Sequence, residues 1–352
     1  MPKKVIKTNR GIQVGREVRT LLNLLIGANT ISDFNGEIEK IDYLKSHAEK
    51  IDIITDLSLQ RFDNPLWEYV LNNTNYMAGT VPVYLSLDSK GNVDENLLFD
   101  SICEQCEKGV SIITIHPTVS RRMLEMSKKR IIPCTSRGGG IVARDLIKNN
   151  RDENVYLQLL DKIAQKCKAC GTVISVGSTF RSGTIIDALD QLYLLELEEQ
   201  IRIADHLDSL GVDAIVETPG HIDAEKLLIL CEKLENNQHP IMPLGPMLTD
   251  IGFEEDDTVA VIGASLMGVH DCADVLTIVT SREHLSGIPT IDDLKKAIAK
   301  YQVAKHIIDL HKVHDYKEDL LVSEERARKK TCDVSTGEFC DRCKEVCPLR
   351  IL

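Results

Sequence analysis

SIITIHP, residues 111–117, is a short β-branched apolar run that ends on a histidine and a proline. Seven similar runs accompany it: IDIITDLS (51–58), AGTVPVYLS (78–86), IIPCTS (131–136), TVISVGS (172–178), AIVETPG (214–220), HPIMPLGP (239–246) and DVLTIV (274–279). Between them lie segments with helical spacing, among them ENLLFDSICEQCEKG (95–109), SRRMLEMSKKR (120–130), the long stretch 185–211 and DAEKLLILCEKLENN (223–237). Strands alternating with helical patterns make βαβ units. Continuously apolar strands have both faces buried, as in a parallel sheet. Eight such units predict a (β/α)₈ barrel. A doubly wound open sheet would want a glycine-rich turn after its first strand, and DLSLQRFDNP (56–65) is not one.

Composition agrees. The chain has 352 residues, 43% hydrophobic, which excludes a disordered polymer. One barrel of about 250 residues plus an appendage accounts for that length. A net charge of −12 argues against sequence-independent nucleic-acid binding. No apolar run reaches membrane-spanning length, and no apolar h-region of a signal peptide is expected after the charged N-terminus. The expectation is a cytoplasmic protein without membrane or nucleic-acid partners.

A barrel carries its chemistry at the C-terminal ends of its strands. Asp56 and Ser58, Tyr84, His116, Ser136 and Arg137, Ser178 and Arg181, Glu217 and His221, and His284 stand there. SRGGG (136–140) precedes a helical segment, and its backbone N–H groups with Arg137 suit a phosphate. His221 and His284 each lie just beyond a strand, and two neutral imidazoles can hold a borderline divalent ion with open positions. Each of these residues, taken singly, is also an ordinary core or loop residue; their convergence carries the reading.

The expected domain organisation is a barrel over 1–289, a helical dimerisation segment over 290–330 and a cysteine tail over 331–352. The tail holds Cys332 and the C-x₂-C-x₃-C cluster Cys340, Cys343 and Cys347. Three close thiolates in a segment with little apolar mass call for zinc or iron–sulfur. Cys332 as a fourth ligand would close the site, and its absence would leave one iron open. The pairs Cys103/Cys106 and Cys167/Cys170 sit in apolar helical frames and read as packing thiols.

MAGTVPVY, TIHPTVSRRMLE, TSRGGG, ISVGSTFRSGTIIDALD, VETPGHID, PLGPMLTDI and TSREHLSGIPTIDDLKKAI, with the cysteine tail, resemble the ThiC family of radical S-adenosylmethionine enzymes. The resemblance runs over roughly residues 17–347. It implies a (β/α)₈ barrel and a [4Fe–4S] cluster on Cys340, Cys343 and Cys347 that, with an external electron donor, cleaves S-adenosylmethionine. It implies zinc or another divalent ion on His221 and His284. It also implies an aminoimidazole ribonucleotide held by Tyr84, His116, Ser136, Arg137, Gly138, Ser178, Thr179, Phe180, Arg181 and Glu217, with Arg181 and Glu217 nearest the chemistry. A homodimer, or a heterodimer with a paralogue, is expected.

Several positions depart from the family pattern. Its substrate asparagine falls on Leu25, a methionine becomes Thr55, its D-G-L-R loop becomes Ser178-Thr179-Phe180-Arg181, and a tyrosine becomes Met242. The cysteine spacing is also one residue shorter. Exchanging hydrogen-bonding groups in a site changes what it discriminates. These departures resemble the 5-hydroxybenzimidazole synthase paralogues of anaerobic cobamide synthesis. Phosphomethylpyrimidine synthase of thiamine synthesis is the alternative, and a non-catalytic partner subunit the second.

Overall fold

The computed structural model describes residues 4–334, 342–343 and 346–351. An antiparallel hairpin, β1 (Val5–Lys7) and β2 (Gln13–Gly15), opens the chain. Eight parallel strands follow: β3 (Leu21–Ile26), β4 (Ile53–Asp56), β5 (Met77–Thr80), β6 (Ile112–Ile115), β7 (Val173–Val176), β8 (Ala214–His221), β9 (Ile241–Met247) and β10 (Val275–Ile278). They close into a barrel, with β10 pairing back onto β3.

The (β/α)₈ expectation holds, and the count of eight conceals two compensating errors. LLNLLI (21–26) is the first strand, though its central asparagine hides it. IIPCTS (131–136) forms no strand. Pro133 cannot donate to a ladder, Ile131 is two-thirds exposed, and the Ile131 and Ile132 amides donate to the Asp187 carboxylate instead of a neighbouring strand.

Helices cover the barrel: α1 (Ile31–Ser46), α2 (Leu66–Asn73), α3 (Glu95–Lys108), α4 (Arg121–Ser127), α5 (Arg137–Lys148), α6 (Val155–Cys170), α7 (Gln191–Ser209), α8 (Ala224–Lys233), α9 (Asp256–Gly268), α10 (Ile291–Lys312) and α11 (Lys317–Lys329). Alternate strand residues, such as Leu22, Ile54, Ile113 and Ile174, pack outward against them. The others point inward. Leu21, Ile53, Met77, Ile112, Val173, Ile215 and Val275 form an apolar layer at the strand starts, and Ile6 and Val14 of the hairpin plug it from below. The barrel is therefore sealed at its N-terminal end and can admit a ligand only at the other. Among the described residues no helix is long and apolar enough to cross a membrane.

Residues 290–330 comprise two helices in different surroundings. Thr290 and Asp293 make a reciprocal capping box at the start of α10. Leu294, Ala297, Ile298, Tyr301, Ala304 and Ile308 are buried in the main core, so α10 occupies the place of the eighth barrel helix. α11 buries none of its residues and leaves Leu320 and Leu321 exposed.

The docking of α10 is tight at Gly268, where a Cβ would lie 2.3 Å from Ile308 Cγ1. Gly268→Ala should cost about 1–3 kcal/mol through overpacking. Adding Ile308→Val should recover part of that loss, as read by urea denaturation midpoints; additive losses would contradict the contact.

Candidate active site at the barrel mouth

Above the apolar plug the inward residues turn polar. Thr55 Oγ1 donates to Asn23 Oδ1 at 2.7 Å, and Asn23 Nδ2 reaches Thr277 Oγ1 at 3.5 Å. Across the barrel Ser175 Oγ and Thr114 Oγ1 donate to Glu217 Oε1 at 3.2 and 3.4 Å. The Ser178 amide donates to Glu217 Oε2 at 3.2 Å. This layer floors a cavity of about 240 Å³, whose walls include Tyr84, His116, Ser136, Arg137, Arg181 and Glu217.

His116, Ser136 and Arg137 meet around the start of α5. Ser136 is its N-cap, and its Oγ accepts from the Gly139 amide at 3.0 Å while bonding His116 Nε2 at 2.9 Å. A Cβ on Gly138 would lie 2.4 Å from His116 Cε1, so only glycine lets the helix approach this ring. Burial pushes the His116 imidazole down to about 3, and the charge of Arg181 acts in the same direction. His116 is therefore neutral at pH 7. Its buried Nδ1 has no partner. The Arg137 guanidinium lies 5.5 Å over the Tyr84 ring.

Burial raises the Glu217 carboxyl above the usual range, while Arg181 and the Ser178 amide pull against it. Arg181 donates through Nη1 to the Ser178 carbonyl at 2.7 Å. The loop carrying these groups is fastened from outside the barrel by Glu196 of α7. The Glu196 carboxylate accepts from the Thr179 and Phe180 amides at 2.8 and 2.6 Å and from Ser178 Oγ at 3.0 Å. Arg130 adds a bond to the Phe180 carbonyl at 2.6 Å and a two-pronged pair with Asp190.

A second cavity, of about 410 Å³, adjoins the first and shares Arg181 and Leu25 with it. His221 and His284 line it, with ring centroids 5.0 Å apart. His221 Nδ1 bonds Asp250 Oδ1 at 2.8 Å, and His284 Nδ1 bonds Asp256 Oδ1 at 2.9 Å. A carboxylate on one nitrogen sets the tautomer and leaves the other for a metal. Burial pushes the Asp250 carboxyl up, but bonds from Thr184 and His221 outweigh it and hold it below the usual range. Among the described residues no group of three or more His, Cys, Asp or Glu is arranged to hold a metal. Two imidazoles with oriented Nε2 atoms fit an ion completed by ligand or water.

The structure thus brings together Tyr84, His116, Ser136, Arg137, Arg181 and Glu217, and next to them His221 and His284. Gly138, Ser178, Thr179 and Phe180 line neither cavity; Phe180 is fully buried and serves the loop. Asp56 is also structural, since it accepts from Ser58 and from the Trp67 amide. Cys340 lies outside the described residues. Cys343 is half-buried, Cys347 buried and Cys332 exposed. Cys106 and Cys167 are buried with their sulfurs 3.9 Å apart, on α3 and α6.

Sequence reasoning missed Asn23, Thr114, Glu196, Asp250 and Asp256. An inward polar residue in an apolar strand is the signal that could have found Asn23. The amide missing at Leu25 is present two residues earlier on the same face, one layer deeper.

Solved structures similar to this chain include a 7,8-dihydropteroate synthase from Vibrio fischeri ES114, at 8% identity and a TM-score of 0.49, covering 87% of this chain and 98% of that one. A type I 3-dehydroquinate dehydratase from Clostridium difficile matches at 12% identity and a TM-score of 0.45, covering 86% and 99%. The model of the radical SAM ThiC family matches residues 1–336. The chain, with its closed eight-stranded barrel and the cavities at its mouth, belongs to the radical SAM ThiC family, enzymes that work with a [4Fe–4S] cluster and S-adenosylmethionine.

Proposed function

We propose that this enzyme rearranges 5-aminoimidazole ribonucleotide to 5-hydroxybenzimidazole, the lower-ligand base precursor of anaerobic cobalamin synthesis. The observation that carries the reading is one polar cavity combining Tyr84, His116, Arg137, Arg181 and Glu217, joined through Arg181 to the histidine pair. The ribonucleotide phosphate takes the Arg137 guanidinium and Ser136 Oγ, which line this cavity at the start of α5. Arg181 and Glu217 place the ribose and imidazole. Neutral His116 holds Ser136 Oγ through Nε2 without adding charge to the cavity. Cys340, Cys343 and Cys347 would hold the cluster, which with S-adenosylmethionine and an external electron donor would supply the radical chemistry. The replaced groups at Leu25, Thr55 and Met242 favour this product over the thiamine pyrimidine. The Asn23 amide, still on the cavity wall, favours phosphomethylpyrimidine synthesis as the second reading.

Anaerobically reconstituted protein, given the ribonucleotide, S-adenosylmethionine and a reductant, should release 5′-deoxyadenosine and 5-hydroxybenzimidazole, identified by mass. A pyrimidine phosphate would overturn the assignment. Arg137→Ala should lower kcat/KM at least tenfold, mainly through KM.

The histidine pair holds zinc or another divalent ion in this reading. Asp250→Asn, which leaves both imidazoles in place, should weaken metal binding about 10–100-fold by calorimetry. Unchanged affinity would remove Asp250 from that role.

His116 titrates far below its unfolded value of about 6.5. Below that pH the unfolded chain binds the extra proton, so folding stability falls as pH drops, by up to about 1.4 kcal/mol per unit. The raised Glu217 carboxyl acts in the opposite sense. The difference between wild type and His116→Asn in urea midpoints at pH 7.5 and 5.5 isolates the histidine; parallel profiles would contradict its buried neutral state.

The exposed α11 and the tail beyond it reach a second subunit in a homodimer or paired heterodimer. Mixing inactive Cys343→Ala and Glu217→Gln proteins should restore part of the activity, and no restoration would place the tail over its own barrel.

A further inference from the structure

α1 carries a buried ion pair that none of the foregoing chemistry uses. Glu37 and Lys40 are 2% and 7% exposed, with Lys40 Nζ 2.8 Å from Glu37 Oε1. They line a third cavity at the barrel mouth, of about 330 Å³, between the end of β3 and the loop after β10. It borders the substrate cavity, sharing Leu25, Leu57, Arg137 and Glu283 with it. The second carboxylate oxygen, Glu37 Oε2, is buried without a partner, and so is Nε of Arg282, which also lines the cavity.

Burying an ion pair costs more than the attraction returns unless the remaining lone pairs and protons are also satisfied. An acceptor left orphaned in a cavity wall therefore marks where a ligand donor belongs. The same ligand must accept from the Lys40 ammonium, which has protons to spare. An anion alone is repelled by Glu37 and Glu283, and a cation alone by Lys40 and Arg282. Adjacent hydroxyls on a furanose ring meet both demands. One donates to the carboxylate while its neighbour accepts from the ammonium, and an acidic side chain reads ribose this way in dinucleotide-binding folds.

We propose that Glu37 and Lys40 form a subsite for the 2′,3′-diol of a ribofuranosyl ligand. The inference rests on the proposed reading that this chain takes ribosyl substrates and cofactors. The diol comes either from the adenosyl group of the cofactor or from the ribonucleotide.

The test uses full-length, anaerobically reconstituted protein and the variant Glu37→Leu/Lys40→Met, which removes both charges together and leaves neither buried alone. Adenosine, 2′,3′-dideoxyadenosine and 5-aminoimidazole ribonucleotide are titrated by calorimetry, with thermal melting to confirm folding. The variant should bind one of the two diol-bearing ligands at least tenfold more weakly, while dideoxyadenosine binding stays unchanged. A loss confined to adenosine assigns the cofactor's ribose, and one confined to the ribonucleotide assigns the substrate's. Unchanged affinity for both overturns the subsite, as does an equal loss for dideoxyadenosine. 5′-Deoxyadenosine formation by the wild type is measured in the same preparation. If it forms while diol binding is unaltered in the variant, the subsite alone fails. If wild type neither forms it nor binds either ribosyl ligand, the proposed function fails with it.

Discussion

The barrel interior changes character along its axis, and the site depends on that change. The lowest inward layer is Leu, Ile, Met and Val, closed by Ile6 and Val14. One residue pair higher, Asn23, Thr55, Thr114, Ser175, Glu217 and Thr277 face inward. The apolar layer supplies packing and keeps water out from below. The polar layer can stay buried only because its members bond one another, since an unpaired polar group inside costs about 1–3 kcal/mol. Glu217 is the extreme case. Burial raises its carboxyl above the usual range, and two hydroxyls, one amide and the charge of Arg181 pull against that rise.

That network would not be positioned without support from outside the barrel. The loop over 178–181 has no regular structure of its own. Glu196 gathers its amides from α7, and Arg130 gathers a carbonyl from the other side. The histidine pair follows the same rule, with Asp250 and Asp256 fixing each ring through Nδ1. In both places carboxylates that line neither cavity hold the groups that do, the loop of Arg181 in one and the two imidazoles in the other. Rigid elements set the geometry, and loops present the chemistry.

Much of this was legible in the residues. Tyr84, His116, Arg181, Glu217, His221 and His284 stand at or just beyond strand ends, which a barrel gathers at one face, and Arg137 joins them there at the start of α5. What pattern reading misjudged has a common cause. LLNLLI fails a test for uninterrupted apolar character because the barrel has an inside that tolerates one asparagine, while IIPCTS passes it although Pro133 and exposed Ile131 forbid a ladder. Likewise α10 reads as an extension beyond the barrel, because its apolar positions do not reveal which surface covers them.

By itself the sequence determined the (β/α)₈ class and the family, because period, spacing and motifs are local and survive without coordinates. It also determined which side chains are chemically able to bind a phosphate, an imidazole ring or a metal. Only the tertiary structure decided which of them share a cavity. Ser178, Thr179 and Phe180 sit in the same motif as Arg181, yet bonds to Glu196, from the Ser178 hydroxyl and the Thr179 and Phe180 amides, hold them away from the cavity that Arg181 lines. Glu37 and Arg282 are some 245 residues apart in the chain and face one cavity, because barrel closure brings the first and last βα units side by side. Closure is a long-range event, and nothing in the local pattern of either segment encodes the other.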